Sequence, residues 1–166
     1  MKLSWMGRYR DITASLISFS NEMTRRVSVR GEAAEGVFLS AQEWQLLECI
    51  IEHDDENLIM ADFWQLLSIP QSSLSKMAKR LFSEGLVEKF RLRSNQKNII
   101  LRPSEKGLRV YRLCCERYIG PLFDNLFNGL DSLSDEQLAE FTAAMDSFNE
   151  KLSGIPKRKE LVKIEP

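Results

Sequence analysis

Histidine and cysteine are scarce in this 166-residue chain: His53 is its single histidine, and its three cysteines are Cys49 and the neighbours Cys114 and Cys115, with no C-x-x-C spacing. That scarcity removes the usual zinc ligands and the usual base of a nucleophilic triad. Asp54, Asp55 and Glu56 stand beside His53, but a solvated helix end is the better reading than a cation site. The eight glycines are scattered, and neither GxGxxG nor GxxxxGK followed by Ser or Thr occurs. Without a loop to cradle phosphates, we expect no catalysis, no cofactor and no metal. Long apolar runs are missing as well. Those present, such as Ile99-Ile100-Leu101, fall far short of the roughly 18 residues that a membrane span needs. Arg8, Arg10 and Asp11 occupy the place of a secretion signal's apolar stretch, and an odd number of unspaced thiols fits a reducing, cytoplasmic setting.

An excess of either charge is absent too, with 23 basic and 24 acidic residues for a net charge of −1. The near-balance hides a segregation. Between Gln71 and Arg109 stand ten basic residues (Lys76, Lys79, Arg80, Lys89, Arg91, Arg93, Lys97, Arg102, Lys106, Arg109) and three acidic ones (Glu84, Glu88, Glu105). The segment carries +7 and leaves −8 for the rest. A surface that faces nucleic-acid phosphates needs such a concentration, because most contacts to DNA go to its backbone and each neutralised phosphate releases counterions.

Periodicity orders the elements. Trp5, Tyr9, Ile12, Leu16, Phe19 and Met23 recur at alternating steps of four and three, which predicts one apolar stripe on a long helix. Residues 30–36 read as a connector into a short extended piece, Val37-Phe38-Leu39. Ser40-Ala41-Gln42-Glu43 is a capping box opening a helix to about Ile51, with Trp44, Leu46, Leu47, Ile50 and Ile51 on most of its faces. A short helix follows with Met60, Phe63, Trp64 and Leu67 on one side, and Ile69-Pro70 ends it. The next helix has Leu74, Met77, Ala78 and Leu81 as its core face and stops at Gly85. Leu86 to Arg93 alternates, with Phe90 and Leu92 opposite Lys89, Arg91 and Arg93. A polar tip over residues 94–98 and Ile99-Ile100-Leu101 complete a β-hairpin. Ser104 caps a further helix, interrupted around Gly120-Pro121 and continuing through Phe123 to Phe127. Ser134 caps a last one, whose Leu138, Phe141, Met145, Phe148 and Leu152 form a narrow seam of the kind that pairs with another helix.

Helix, turn at Ile69-Pro70, second helix and basic hairpin is the order of a winged helix-turn-helix, whose second helix enters the DNA major groove. The stretches LSAQEWQLLECI, IPQSSLSKMAKRLFSEGLVEK and PSEKG resemble the MarR family of bacterial transcriptional regulators, most specifically over residues 40–107. The resemblance implies a mainly α fold, a winged helix-turn-helix with a β-hairpin wing plus N- and C-terminal helices forming a dimerisation domain. It divides the chain into an N-terminal dimerisation helix and connector (1–36), a DNA-binding domain (37–103), C-terminal dimerisation helices (104–153) and a basic tail (154–166). Trp5, Tyr9, Ile12, Leu16 and Phe19 would meet Leu138, Phe141, Met145, Phe148 and Leu152 across a homodimer.

By the same resemblance, Ser73, Ser75 and Lys76 match recognition-helix positions that contact bases and phosphates, with Gln71 and Ser72 at the helix start. Lys79, Arg80, Arg91, Arg93, Asn95 and Lys97 complete the expected DNA contacts. The wing departs from the family pattern. Where Asp-x-Arg is usual, Asn95-Gln96-Lys97 keeps a charge but loses the planar fork and its orienting ion pair. Pro103-Ser104-Glu105-Lys106-Gly107 likewise replaces Leu-Thr-x-x-Gly. The implied function is a cytoplasmic, ligand-responsive repressor that binds a pseudo-palindromic operator on double-stranded DNA. The alternative is a winged-helix module that docks proteins and has lost DNA binding. Tyr9, Phe19, Met23, Tyr111 and Tyr118 would line an effector cavity or serve as plain core. Among the thiols, Cys49 and Cys115 are expected to pack inside, while Cys114 stands among Arg112, Glu116 and Arg117.

Overall fold

The structure, a computed structural model, describes residues 4–26, 29–67, 69–92 and 95–152, with side chains except those of residues 4, 92 and 95–97. Arg93 and the basic tail from residue 154, both singled out from the sequence, lie outside the described residues. In chain order a 3-10 turn (Ser4–Tyr9) leads into α1 (Arg10–Arg26), β1 (Gly31–Ala34), β2 (Val37–Leu39), α2 (Ala41–Glu52), α3 (Met60–Leu67) and α4 (Gln71–Ser83). The wing strands β3 (Val87–Leu92) and β4 (Asn95–Pro103) follow, then α5 (Glu105–Cys114), a π-helical turn (Cys115–Ile119), α6 (Gly120–Leu130) and α7 (Asp135–Leu152). The fold is mainly α, a winged helix-turn-helix flanked by N- and C-terminal helices. It divides into two units, Met1–Gly120 and Pro121–Pro166.

In the first unit α2 is the central element. Its N-terminus closes as the capping box predicts: the Glu43 N–H donates to Ser40 Oγ (3.2 Å) and the Ser40 N–H to Glu43 Oε2 (2.9 Å). Leu46, Leu47 and Ile50 are wholly buried among Phe63 of α3, Leu74 and Leu81 of α4, Leu86, Val87 and Val110. Fully burying one such aliphatic side chain contributes about 1.5–3 kcal/mol, so this apolar set holds α4 in place. The turn between α3 and α4 is set by Pro70, whose carbonyl accepts the N–H groups of Ser73 (2.9 Å) and Leu74 (3.0 Å). At the other end α4 stops in a Schellman motif: Leu86 N–H reaches Leu81 O, Gly85 N–H reaches Phe82 O, and Gly85 sits at φ +72.

The wing is an antiparallel pair in the register Val87↔Pro103 through Arg91↔Ile99, with an irregularity between Arg91 and Leu92. An isolated bridge from Ile59 to Ile100 joins it to the segment before α3. The expected alternation from Leu86 is not seen in the burial of the described side chains, since Leu86 and Val87 are both covered at the base. Val87 is buried, whereas Glu88, Lys89, Phe90 and Arg91 are all exposed. A two-stranded ribbon has no second layer against which Phe90 would be buried.

Two further readings need correction. Residues 31–34 are not a connector but strand β1, paired with β2 through a two-residue turn in which Glu35 (φ 52) and Gly36 (φ 73) both lie in the left-handed region. The interruption expected at Gly120-Pro121 is a π-turn upstream, in which the Gly120 N–H bonds back to Cys115 O. Pro121, which has no N–H, follows inside α6. Cys114 continues the buried stripe of Gly107 and Val110 on α5, so it is the buried thiol and Cys115 the half-buried one, the reverse of the expected pair.

In the second unit, Ser134 and Gln137 form a capping box at the start of α7, with Gln137 N–H to Ser134 Oγ (3.3 Å) and Ser134 N–H to Gln137 Oε1 (3.0 Å). None of the residues in α1, α6 or α7 is buried. Among the described residues no helix is long and apolar enough to cross a membrane.

Candidate nucleic-acid interface

Helix α4 divides cleanly into two faces. Leu74, Met77, Ala78 and Leu81 are buried, while Gln71, Ser72, Ser75, Lys76 and Lys79 are exposed and Ser73 and Arg80 are half-buried. Ser72, Ser75, Lys76 and Lys79 follow the i, i+3, i+4, i+7 spacing that lines one helix face, here the face opposite the core. No side chain caps the N-terminus of α4, where Pro70 is the cap residue. Its partial positive charge adds to that of the lysines.

The structure also sorts the cations of the basic segment. Arg102 is engaged by Asp54 (Nη1 to Oδ1, 3.2 Å) and Asn57 (Nη2 to Oδ1, 2.7 Å). Arg109 Nε lies 3.8 Å from Glu35 Oε1. Lys106 Nζ donates to the Glu84 carbonyl at 2.8 Å, and Lys89 stands 4.2 Å above the Phe82 ring. Arg80 faces Glu43 at 3.5 Å and Glu84 at 3.2 Å. Lys76, Lys79 and Arg91 are exposed and pair with no other described side chain. Among the described side chains of the segment these are the cations left for an external anion. Apart from Glu84, four residues after Arg80, nothing local in the sequence marks the engaged cations, because the partners Glu43, Asp54 and Asn57 belong to α2 and the loop after it.

The wing is anchored beneath this face. Ser104 Oγ donates to Gly85 O (2.6 Å) and accepts the Gly107 N–H (2.9 Å), and the Ser104 N–H donates to Leu86 O (3.0 Å). Gly107 approaches the backbone of Leu86 so closely that a Cβ would come within 2.0 Å of its carbonyl oxygen. Asn95 and Lys97, at the tip, have a described backbone only. Arg93 is outside the described residues.

Titratable groups near the interface are held in definite states. Burial pushes the Glu43 carboxyl upward, but the Arg30 guanidinium and the Ser40 N–H outweigh it and leave the group below the ordinary carboxylate range. The Glu56 carboxylate bonded to His53 Nδ1 at 2.8 Å raises the imidazole, so His53 is a capped loop group at the end of α2. Burial raises both Cys49 and Cys114, which keeps these thiols protonated and poorly nucleophilic. Tyr111 stacks on Trp44 with ring centroids 5.5 Å apart and donates its hydroxyl to Glu48 at 2.8 Å. An open groove of about 280 Å³ between α2 and α3 is lined by Gln45, Glu48, Cys49, Glu52, His53, Leu66 and Leu67, and by none of the five side chains expected around a cavity.

Residues 39–99 match the model of the MarR family. The chain carries a MarR family domain. The match spans the capping box, the MarR helix-turn-helix and most of the wing. Solved structures extend the likeness of fold to the flanking helices. Streptococcus pneumoniae FabT in complex with DNA is 18% identical with a TM-score of 0.61, over 88% of this chain and 98% of that one. A mutant MarR from E. coli complexed with operator DNA is 17% identical with a TM-score of 0.58, over 81% and 91%. The S. aureus MepR–DNA complex is 16% identical with a TM-score of 0.60, over 86% and 97%. Among curated proteins none matches the chain by sequence.

Proposed function

We propose that the chain is a MarR-type transcriptional regulator that binds double-stranded DNA. The observation that carries this reading is the outward face of α4, where Gln71, Ser72, Ser75, Lys76 and Lys79 stand exposed on a MarR domain whose other α4 face is core. Gln71, Ser72, Ser73 and Ser75 would discriminate base edges, and Lys76, Lys79 and Arg91, with Arg93, Asn95 and Lys97 of the wing, would hold the phosphates. The FabT, MarR and MepR structures, each solved with DNA, support the same assignment.

The unit of action would be a homodimer. The expected stripe is not one helix, since Trp5 and Tyr9 lie in the 3-10 segment kinked at Gly7 (φ 50) and Ile12, Leu16 and Phe19 in α1. Neither it nor the seam of α7 (Leu138, Phe141, Met145, Phe148, Leu152) contains a buried residue, and so much exposed apolar surface favours a second copy over solvent. Two copies would present their α4 helices to half-sites about one helical turn apart, roughly 34–36 Å. In the bacterial cytoplasm such a dimer would act as a repressor, and a small effector that changes the helix spacing would release it. Selection of bound duplexes from genomic fragments tests the assignment. The expected result is a small set that shares an inverted repeat. Retention of no duplex, together with capture of a protein partner, would favour the docking-module reading to which the Asn95-Gln96-Lys97 tip lends some support.

A further inference from the structure

We infer that Arg80 is a positioning residue, seating α4 on the first turn of α2 through the Glu43 carboxylate, and that it does not itself touch DNA. This deepens the proposed function, since its binding arm rests on α4 being the helix that meets DNA.

Glu43 is 3% exposed, and both of its carboxylate oxygens are in use. Oε2 accepts the Ser40 N–H at 2.9 Å and Arg30 Nε at 3.0 Å, while Oε1 accepts Arg30 Nη2 at 2.8 Å. Arg80 Nε is set 3.5 Å from the same Oε1. That nitrogen is buried from solvent and has no hydrogen-bond partner, so the Glu43 charge is what compensates it. The other end of the guanidinium is committed as well, with Nη2 3.2 Å from Glu84 Oε1 and 3.5 Å from the Phe38 carbonyl of β2. One α4 side chain thereby joins β2, the α2 N-terminus and the last turn of its own helix. To reach a phosphate, Arg80 would have to abandon all three and leave the buried Glu43 with Arg30 alone. Lys76, one turn earlier, and Lys79, the preceding residue, both on the exposed face, carry no such commitment.

Positioning and contact give opposite signs at Glu43. Removing a negative charge close to a DNA-binding face strengthens attraction for a polyanion, whereas removing the anchor of α4 weakens binding. The experiment compares Arg80→Lys, Arg80→Gln, Glu43→Gln and the pair E43Q/R80Q with Lys76→Gln, in the full-length chain on a duplex retained from the genomic selection. We expect each Arg80 and Glu43 variant to lose about tenfold in affinity with the slope of log Kd against log salt unchanged, and the pair to lose no more than either alone. K76Q, present in both copies of a dimer, should instead lower that slope by about 1.8. The free proteins provide the second arm: amide hydrogens of α4 should exchange about tenfold faster in R80K, R80Q and E43Q, since sub-global opening of the helix is what its anchor resists. A slope that falls by about 1.8 in R80Q, one contact from each copy, and is restored by R80K would show a phosphate contact and overturn the inference. Unaltered exchange in α4 would overturn it equally. If the wild-type chain retains no duplex, the proposed function falls, and the exchange arm alone decides the role of Arg80.

Discussion

Gly107→Ala should lower folding stability by about 3 kcal/mol, at or above the upper end of the usual cost of overpacking. The new Cβ would meet Leu86 O at 2.0 Å, Leu86 C at 3.0 Å and Leu86 Cα at 3.3 Å, and all three are backbone atoms that no rotamer change can move aside. Leu86 is itself fully buried, and its carbonyl already accepts the Ser104 N–H at 3.0 Å. The clash must therefore be relieved by shifting α5 away from the end of α4, which breaks the Ser104 bonds to Gly85 O and Leu86 O. Urea denaturation reads the outcome as a lower midpoint at an unchanged m-value. For a chain of this size the corresponding fall in Tm is about 6–12 °C. A midpoint equal to that of the wild type would mean that α5 does not approach Leu86 as described.

The second large effect concerns binding. Neutralising Lys76, Lys79 and Arg91 together, each to Gln, should weaken affinity for a retained duplex about 100-fold near physiological salt, with little change between sequences. The contrast is Arg109→Gln, which removes one formal charge from the same basic segment. Arg109 already faces Glu35, and its loss should change affinity less than about threefold, the scale of one exposed, screened charge. A loss from Arg109→Gln of about fivefold, the triple loss shared equally per charge, would show that total charge, and not the three unpaired cations, governs association.

Much of this architecture was legible because local rules and tertiary packing agree. The Leu74, Met77, Ala78 and Leu81 spacing places α4 against the core, Ser40 and Glu43 form the cap their spacing requires, and Pro70 and Gly85 punctuate α4 where their backbone preferences demand. Where reading failed, the deciding term was not local. Strand β1 is built from Gly31, Glu32, Ala33 and Ala34, which have little β propensity. It is held by pairing with β2 and by burial of the two alanines. Helix α5 buries Gly107, Val110 and Cys114 and leaves Leu108 exposed, so the expectation for the two thiols failed on which face the fold covers. The basic segment shows the same limit for the site. Ten cations are visible in the sequence, but Arg80, Arg102 and Arg109 are paired by carboxylates that only the fold brings near. The exposed face of α4 could be read from periodicity; the identity of its unpaired charges could not.

The central claim is that this face of α4, with the wing, meets the phosphates of a duplex. The most direct test is the affinity of the wild-type chain for a retained duplex, measured by fluorescence anisotropy across a salt series. If each chain of a dimer neutralises three or more phosphates, log K should fall with log salt at a slope of about −5 or steeper. A slope near zero, or no binding at the lowest salt, would contradict the account.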